Sequence, residues 1–294
     1  MDKQETAAEQ LTFDFNFDIE LPENNIEKIP EEVKPERISF ARVPDEEFTE
    51  APAVKEKSSA KVDKILKMMD RGTYRVDRHR FLSDIFECGA CAISNQFDFP
   101  RAEKREERYI QIMNTYEPEM RQLIVEIFAE IYTLLTQQIN PSVGFADYLG
   151  ELYMRSETSN SKAGQFFTPY DVSKMCAKVN INGGMVEEHI REDKILTLNE
   201  PSCGSGGMVL AAADVLYNDY HFNYSRNLVV YCSDIDSRCV HMCYLQLALA
   251  GIPAIIAQQN TLTLEAWDEW RTPAYIMQWL RFKDVLKKES KNDL

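Results

Sequence analysis

The stretch Lys194 to Leu210, KILTLNEPSCGSGGMVL, is where chemistry is easiest to read in this chain. Gly204, Gly206 and Gly207 lie close together, and glycines so spaced let a ligand approach the backbone. The apolar run Ile195, Leu196, Leu198 stops at Pro201 and predicts a short buried strand. The Ala-rich run from Met208 to Leu216 predicts a helix directly after the glycines. Strand, glycine turn and helix form the entry to a nucleotide-binding α/β unit. The first turn of such a helix offers free N–H groups and a positive dipole end to an anion. The spacing is not the G-x-G-x-x-G of dinucleotide-binding folds.

Downstream, Asn227 to Cys232 (NLVVYC) predicts a second short strand, and it runs into SDID, Ser233 to Asp236. An acid at the end of a second strand suits a ribose, because one carboxylate accepts hydrogen bonds from both hydroxyls. Asp236 is placed to cap the helix predicted from Ser237 to Ala250, which Gly251 closes. Ala254 to Ala257 predicts a third strand, and the polar turn Gln259-Asn260-Thr261-Leu262 follows. Two further groups have metal-ligand types. Cys88 and Cys91 form a single C-x-x-C with His79 nearby, but zinc sites usually use two pairs, and two small residues in a helix is the favoured reading. Cys239, His241 and Cys243 share a helix and read as part of its buried face, so no metal is expected.

The elements that must position these residues fall into three parts. Residues 1–60 carry 7 basic and 16 acidic side chains, a net −9 of the chain's −15. They are rich in Glu, Pro and Lys without sustained periodicity, which predicts a disordered acidic tail. Within it Phe13, Phe15, Phe17 and Ile19 alternate with Asp14, Asn16 and Asp18. That period suits a strand formed on a partner's sheet edge or groove, or a segment covering the protein's own surface. Residues 61–163 predict an all-helical domain, in which Met120 to Ile139 is the strongest helix and Asn140-Pro141 its end. Lys61, Lys64, Lys67, Arg71, Arg75, Arg78 and Arg80 face only Asp63, Asp70 and Asp77. This cluster suits phosphates or, the reading we favour, a solvated helix face. Residues 164–294 hold the glycine loop. Outside the tail the charge is nearly balanced, so the acidity says little against nucleic acid. No apolar run approaches the ~20 residues of a membrane helix, and no signal pattern opens the chain. Seven scattered cysteines fit reduced thiols, and a cytoplasmic location is expected.

Between the helical part and the loop, Asp147 to Met154 (DYLGELYM) is followed by a polar link and by Gly164 to Pro169 (GQFFTP). Together with Pro-x-Cys-Gly-x-Gly-Gly, the SDID strand end and the Asn260 turn, these elements resemble the modification subunits of type I restriction systems and related N6-adenine DNA methyltransferases. The resemblance spans roughly a hundred residues, with its elements in order. It implies an α/β fold: the Rossmann-like cofactor-binding half of an S-adenosylmethionine-dependent methyltransferase, preceded by an all-helical domain and a disordered acidic tail. It also implies S-adenosyl-L-methionine as cofactor, DNA as partner and methyl transfer to adenine N6. On the resemblance, Gln165, Phe166, Phe167, Thr168 and Pro169 lie against the methionine end of the cofactor. Glu200, Pro201, Cys203, Gly204, Ser205, Gly206 and Gly207 form its loop, Asp234 takes the ribose, and Asn260 reaches the amine of its adenine ring. Gln259 stands where the family has glycine. An unrelated small-molecule methyltransferase would share the loop without explaining GQFFTP or the helical part.

The family carries its chemistry on a fourth strand ending in Asn-Pro-Pro-Tyr or Asn-Pro-Pro-Phe, and no Asn-Pro-Pro occurs in this sequence. In the family, the Asn oxygen and a Pro carbonyl accept from the target amino group, and the aromatic ring stacks on the flipped base. The nearest string is Thr272-Pro273-Ala274-Tyr275, which makes Thr272, Pro273 and Tyr275 weak catalytic candidates, since a Thr hydroxyl replaces an amide oxygen poorly. The preceding WDEWR does not read as a buried strand. Only 34 residues follow Asn260, whereas a methyltransferase sheet needs about four more strands. The fourth strand of that fold pairs beside the first, so an open edge is expected there. Tyr275 to Leu286, a partner subunit or self-association would cover it. Two functions follow from these readings. One is an adenine-specific DNA methyltransferase, with independent catalysis in question. The other is a non-catalytic relative that acts through DNA or partner binding.

Overall fold

The computed structural model describes residues 52–73, 76–140, 143–157 and 167–279. The Phe13 to Ile19 pattern, Gly164, Gln165, Phe166 and residues 280–294 lie outside the described residues. The first helix, α1 (Pro52–Asp70), begins ahead of the boundary expected at residue 61. Four more α-helices follow among the described residues of the helical part: α2 (Arg78–Ser94), α3 (Phe99–Asn114), α4 (Pro118–Thr136) and α5 (Tyr148–Glu157). Their starts follow from side-chain chemistry. The Asp77 carboxylate accepts from Arg80 N at 2.9 Å and caps α2. Pro118 opens α4 with the φ a helix needs and no N–H to leave unpaired. The buried face of α4, including Leu123, Ile124, Ile127, Ile131 and Leu134, recurs at three- and four-residue steps.

The second part runs α6 (Tyr170–Asn180), α7 (Gly183–Arg191), β1 (Leu196–Glu200), α8 (Gly207–Tyr220), α9 (Tyr224–Asn227), β2 (Leu228–Asp234), α10 (Ser237–Leu249), β3 (Ala254–Asn260) and β4 (Glu265–Arg271). The sheet order is β1-β2-β3-β4, with β1, β2 and β3 parallel and β4 antiparallel to β3. Parallel neighbours need crossovers, and α8 and α10 supply them. Ala211, Ala212 and Val215 of α8 pack against Ala177 of α6 and Leu198 of β1, small side chains that let two helices lie close over the sheet. α10 lies on β2 and β3 and touches α2, α4 and α5 with its remaining faces. The helical and α/β parts therefore share one hydrophobic core, which includes Val62 and Ile65 as well as Val230 and Ile256.

WDEWR, Trp267 to Arg271, belongs to strand β4, and only Trp270 in it is buried, so it is a strand but not a buried one. Trp270 stands edge-on to His241 with centroids 5.1 Å apart and against Tyr244 at 5.2 Å, and the Arg105 guanidinium lies 4.0 Å over its ring. Arg105 also donates to Glu269 O at 2.7 Å. One anchored tryptophan thus fixes an otherwise polar strand that leaves its outer residues to solvent. Residues 273–279 are helical, and Gln278 donates its amide to Arg226 O just before β2. Among the described strands, β1 pairs only with β2, so its outer edge carries no neighbour.

Candidate functional site

The glycine loop lies at the carboxyl ends of β1, β2 and β3, and hydrogen bonds stitch it to all three. Cys203 N donates to Ser233 O at 2.9 Å. Ser233 Oγ and Thr261 Oγ1 both donate to Pro201 O, at 3.2 and 2.6 Å. Gly204 and Gly206 adopt φ of +53° and +94°, the left-handed region that glycine enters without strain. A Cβ on Gly204 would also stand 3.0 Å from the Phe167 ring, so the backbone there is closed in by GQFFTP's own aromatic. Beneath the loop Cys203, Cys232 and Cys243 are buried.

Asp234 holds the loop from the β2 side. Its Oδ2 accepts from Gly204 N at 2.9 Å and its Oδ1 from Asp236 N at 3.0 Å. A carboxylate offers about four acceptor positions, so two remain for a diol among the described residues. Glu200, at the end of β1, accepts from Ser202 N at 3.3 Å, and burial pushes its carboxyl above the ordinary range. Asp236 caps α10 through Arg238 N at 2.9 Å, as its position predicts, and also pairs with the Arg238 guanidinium. Asn260 ends β3. Its Oδ1 accepts from Leu262 N at 3.0 Å and Thr263 N at 3.3 Å, so that oxygen already shapes the hairpin turn.

Ten of the expected residues thus gather in one place: Phe167, Glu200, Pro201, Cys203, Gly204, Ser205, Gly206, Gly207, Asp234 and Asn260. Thr168 and Pro169 are exposed beside Phe167, and Pro169 O accepts from Val172 and Ser173 N to start α6. Gln165 and Phe166 lie outside the described residues.

Thr272, Pro273 and Tyr275 are not brought to the loop. Thr272 is fully buried. Its Oγ1 accepts from Ala254 N at 2.9 Å and Tyr275 N at 3.3 Å and donates to Ile252 O at 2.8 Å. That places it at the start of β3, whereas Asn260 ends the same strand. Six steps of about 3.3 Å separate the two by roughly 20 Å. Thr272 joins β3 to β4 and caps the following helix.

Sequence reasoning missed the side chains that join the helical part to the loop. Tyr153 of α5 meets the Phe167 ring edge-on at 5.4 Å, and its hydroxyl lies 3.2 Å from Arg238 Nη1 and 3.3 Å from His79 Nε2. Asp147, just before α5, bonds Ser205 Oγ at 2.5 Å. Both fall in DYLGELYM, so the signal was present without a role attached. In the basic cluster, Lys64 pairs with Glu130 at 2.6 Å, Arg78 with Asp70 and Arg80 with Asp84. Cys88 and Cys91 are buried in α2, and burial pushes the Cys91 thiol up to about 12.

Comparison with known proteins supplies the family. The model of the N-6 DNA methylase family matches residues 146–293, half of the chain. The type I restriction enzyme MpnII methylase subunit of Mycoplasma pneumoniae is 24% identical over 184 residues, which cover 50% of this chain and 32% of that protein. The match therefore spans about a third of that relative's length. The crystal structure of the type I restriction-modification system methyltransferase subunit from Streptococcus thermophilus aligns with 74% of this chain and 60% of its own. That alignment has a TM-score of 0.33 and 14% identity. With the glycine loop and its acids inside the matched residues, the chain belongs to the N-6 DNA methylase family.

Proposed function

We propose that the chain binds S-adenosyl-L-methionine on the glycine loop, as the cofactor-binding part of a DNA adenine N6-methyltransferase of the type I modification-subunit kind. The observation that carries this reading is the bond between Gly204 N and Asp234 Oδ2. It sets an acid, with acceptor positions left open among the described residues, beside the glycine backbone of the loop. Glu200, Asp234 and Asp236 line the strand ends, and this acidic setting suits a ligand with a positively charged sulfonium. S-adenosyl-L-methionine supplies the methyl group when bound; the chain's own residues hold and orient it. Phe167 and the loop close over one end, Asp234 accepts from the ribose, and Asn260 closes the far end of the site.

The remaining parts of the reading rest on the family. DNA is the substrate, and the cytoplasm, where all seven cysteines stay free thiols, is the place of action. The adenine amine still needs acceptors that Thr272 does not supply, and a second reading is that this chain alone is not catalytic. The Thr272 hydroxyl is engaged with three backbone groups at the wrong end of β3. A partner subunit or self-association at the unpaired β1 edge completes the sheet on this reading. The test is transfer of a labelled methyl group to mixed-sequence DNA by the purified chain, alongside calorimetry with S-adenosyl-L-methionine. Binding without transfer is the expected pair of results. Absence of binding removes the first reading, and robust transfer removes the second.

A further inference from the structure

We infer that Asp147 is a positioning residue: a carboxylate from the helical part that takes the N-terminus of α8 and holds the glycine loop in its ligand-ready shape. The inference rests on the cofactor reading above. Asp147 Oδ2 accepts from Ser205 Oγ at 2.5 Å, and Oδ1 accepts from Gln246 Nε2 at 2.8 Å and Gly150 N at 2.9 Å. Gln246 is fully buried on α10. It donates also to Ser205 O at 2.6 Å, and its Oε1 accepts from Leu149 N at 3.3 Å. Three segments distant in sequence, the start of α5, the loop and the middle of α10, therefore close on one carboxylate.

The start of α8 explains why an acid stands there. Its N-cap residue is Gly206, which has no side chain to satisfy the first N–H groups of the helix. A Cβ added to Gly207 would lie 2.8 Å from Asp147 Oδ2, so the carboxylate rests directly on the first helical residue. Among the described residues, the hydrogen-bond donors to Asp147 are a hydroxyl, an amide and a backbone N–H, none of them a cation. Burial pushes its carboxyl above the ordinary range against the pull of these three bonds. The positive end of α8 supplies the field that a counter-ion would otherwise give. The anion expected at this helix start is thus internal to the protein. A ligand meets the loop at Gly204 and Asp234, and the order of that loop depends on the helical part.

The full chain with Asp147→Asn, Asp147→Ala or Ser205→Ala tests this. Asp147→Asn keeps each bond, since Oδ1 still accepts from Gln246 and Gly150 and the amide nitrogen donates to Ser205 Oγ. Hydrogen exchange across residues 203–210 reads the loop without any ligand, and calorimetry with S-adenosyl-L-methionine reads its use. Ser205→Ala is expected to speed exchange in the loop by about tenfold and weaken binding by about tenfold, the effect of one lost hydrogen bond to a charged group, and Asp147→Ala, which loses three, by more. Exchange in α2 and α4 stays unchanged, and Asp147→Asn, which keeps the bonds but not the charge at the α8 N-terminus, restores both readouts in part. Loop exchange that is unaltered in Ser205→Ala and Asp147→Ala overturns the inference, as does a loss spread equally over α2 and α4. If Asp147→Ala does not fold, Ser205→Ala, which removes one hydroxyl, decides alone. A wild-type chain that binds nothing, but whose loop exchange responds to these changes, overturns the cofactor reading and keeps the role of Asp147 in the loop.

Discussion

Asp234→Ala is the perturbation from which the site predicts most. In the free protein the substitution strands two backbone donors, Gly204 N and Asp236 N, which now lie 2.9 and 3.0 Å from its oxygens. In the complex it also removes both ribose contacts. Hydrogen bonds to a charged group contribute about 1.5–3 kcal/mol each, so the two ribose bonds together supply about 3–6 kcal/mol of binding. Every 1.4 kcal/mol is about a factor of ten. Affinity for S-adenosyl-L-methionine should therefore fall by about two to four orders of magnitude. Asp234→Asn keeps one acceptor oxygen and turns the other into a donor facing a donor, so about one to two orders of loss is expected. Isothermal calorimetry measures both, with circular dichroism confirming that each variant is folded. Unchanged affinity in folded Asp234→Ala refutes the reasoning, because no other acid at the strand ends makes the bond to Gly204.

Three further outcomes follow from the same geometry. Thr272→Val keeps the shape but strands Ala254 N and Ile252 O inside the core, at a cost of about 2–5 kcal/mol, so chemical denaturation should show a large loss of stability while cofactor affinity holds. The reverse pattern, intact stability with altered chemistry, would make Thr-Pro-Ala-Tyr a working site. Gly206→Ala forces a side chain into φ +94°, at about 1–2 kcal/mol, with Cys243 Sγ only 3.1 Å from the new Cβ, and thermal unfolding and binding should both suffer. His241 is buried, and burial lowers its pKa below the ordinary 6.5. The unfolded chain then takes up the proton first, so this stability is complete above pH 6.5 and lost as pH falls through the folded value. Denaturation of His241→Leu should lack that share of the slope seen in the wild type, and equal slopes would contradict it.

The sequence made the local parts of this site legible and left the long-range parts hidden. Glycines, an apolar strand and an acid at the next strand end are neighbours in the chain, and their pattern carried both the β-α-β order and Asp236 as a cap. β4 was hidden because its stability comes from Trp270 between Arg105, His241 and Tyr244, residues on other elements that no local pattern announces. WDEWR alone looks polar, as an exposed edge strand must. Thr272 and Tyr275 looked like a degenerate catalytic string because register cannot be read before strand pairing is known; the pairing puts them at the far end of β3. Asp147 was hidden in a similar way. It lies 58 residues from Ser205, and only the fold brings the two together.

The most direct test of the central claim is an amide-resonance titration of the labelled full chain with S-adenosyl-L-methionine. The account predicts shifts concentrated at Phe167, Gly204 to Gly207, Asp234 and Asn260, with Thr272 and Tyr275 unmoved. Shifts centred on Thr272 to Tyr275, or no shifts at saturating ligand, would contradict it.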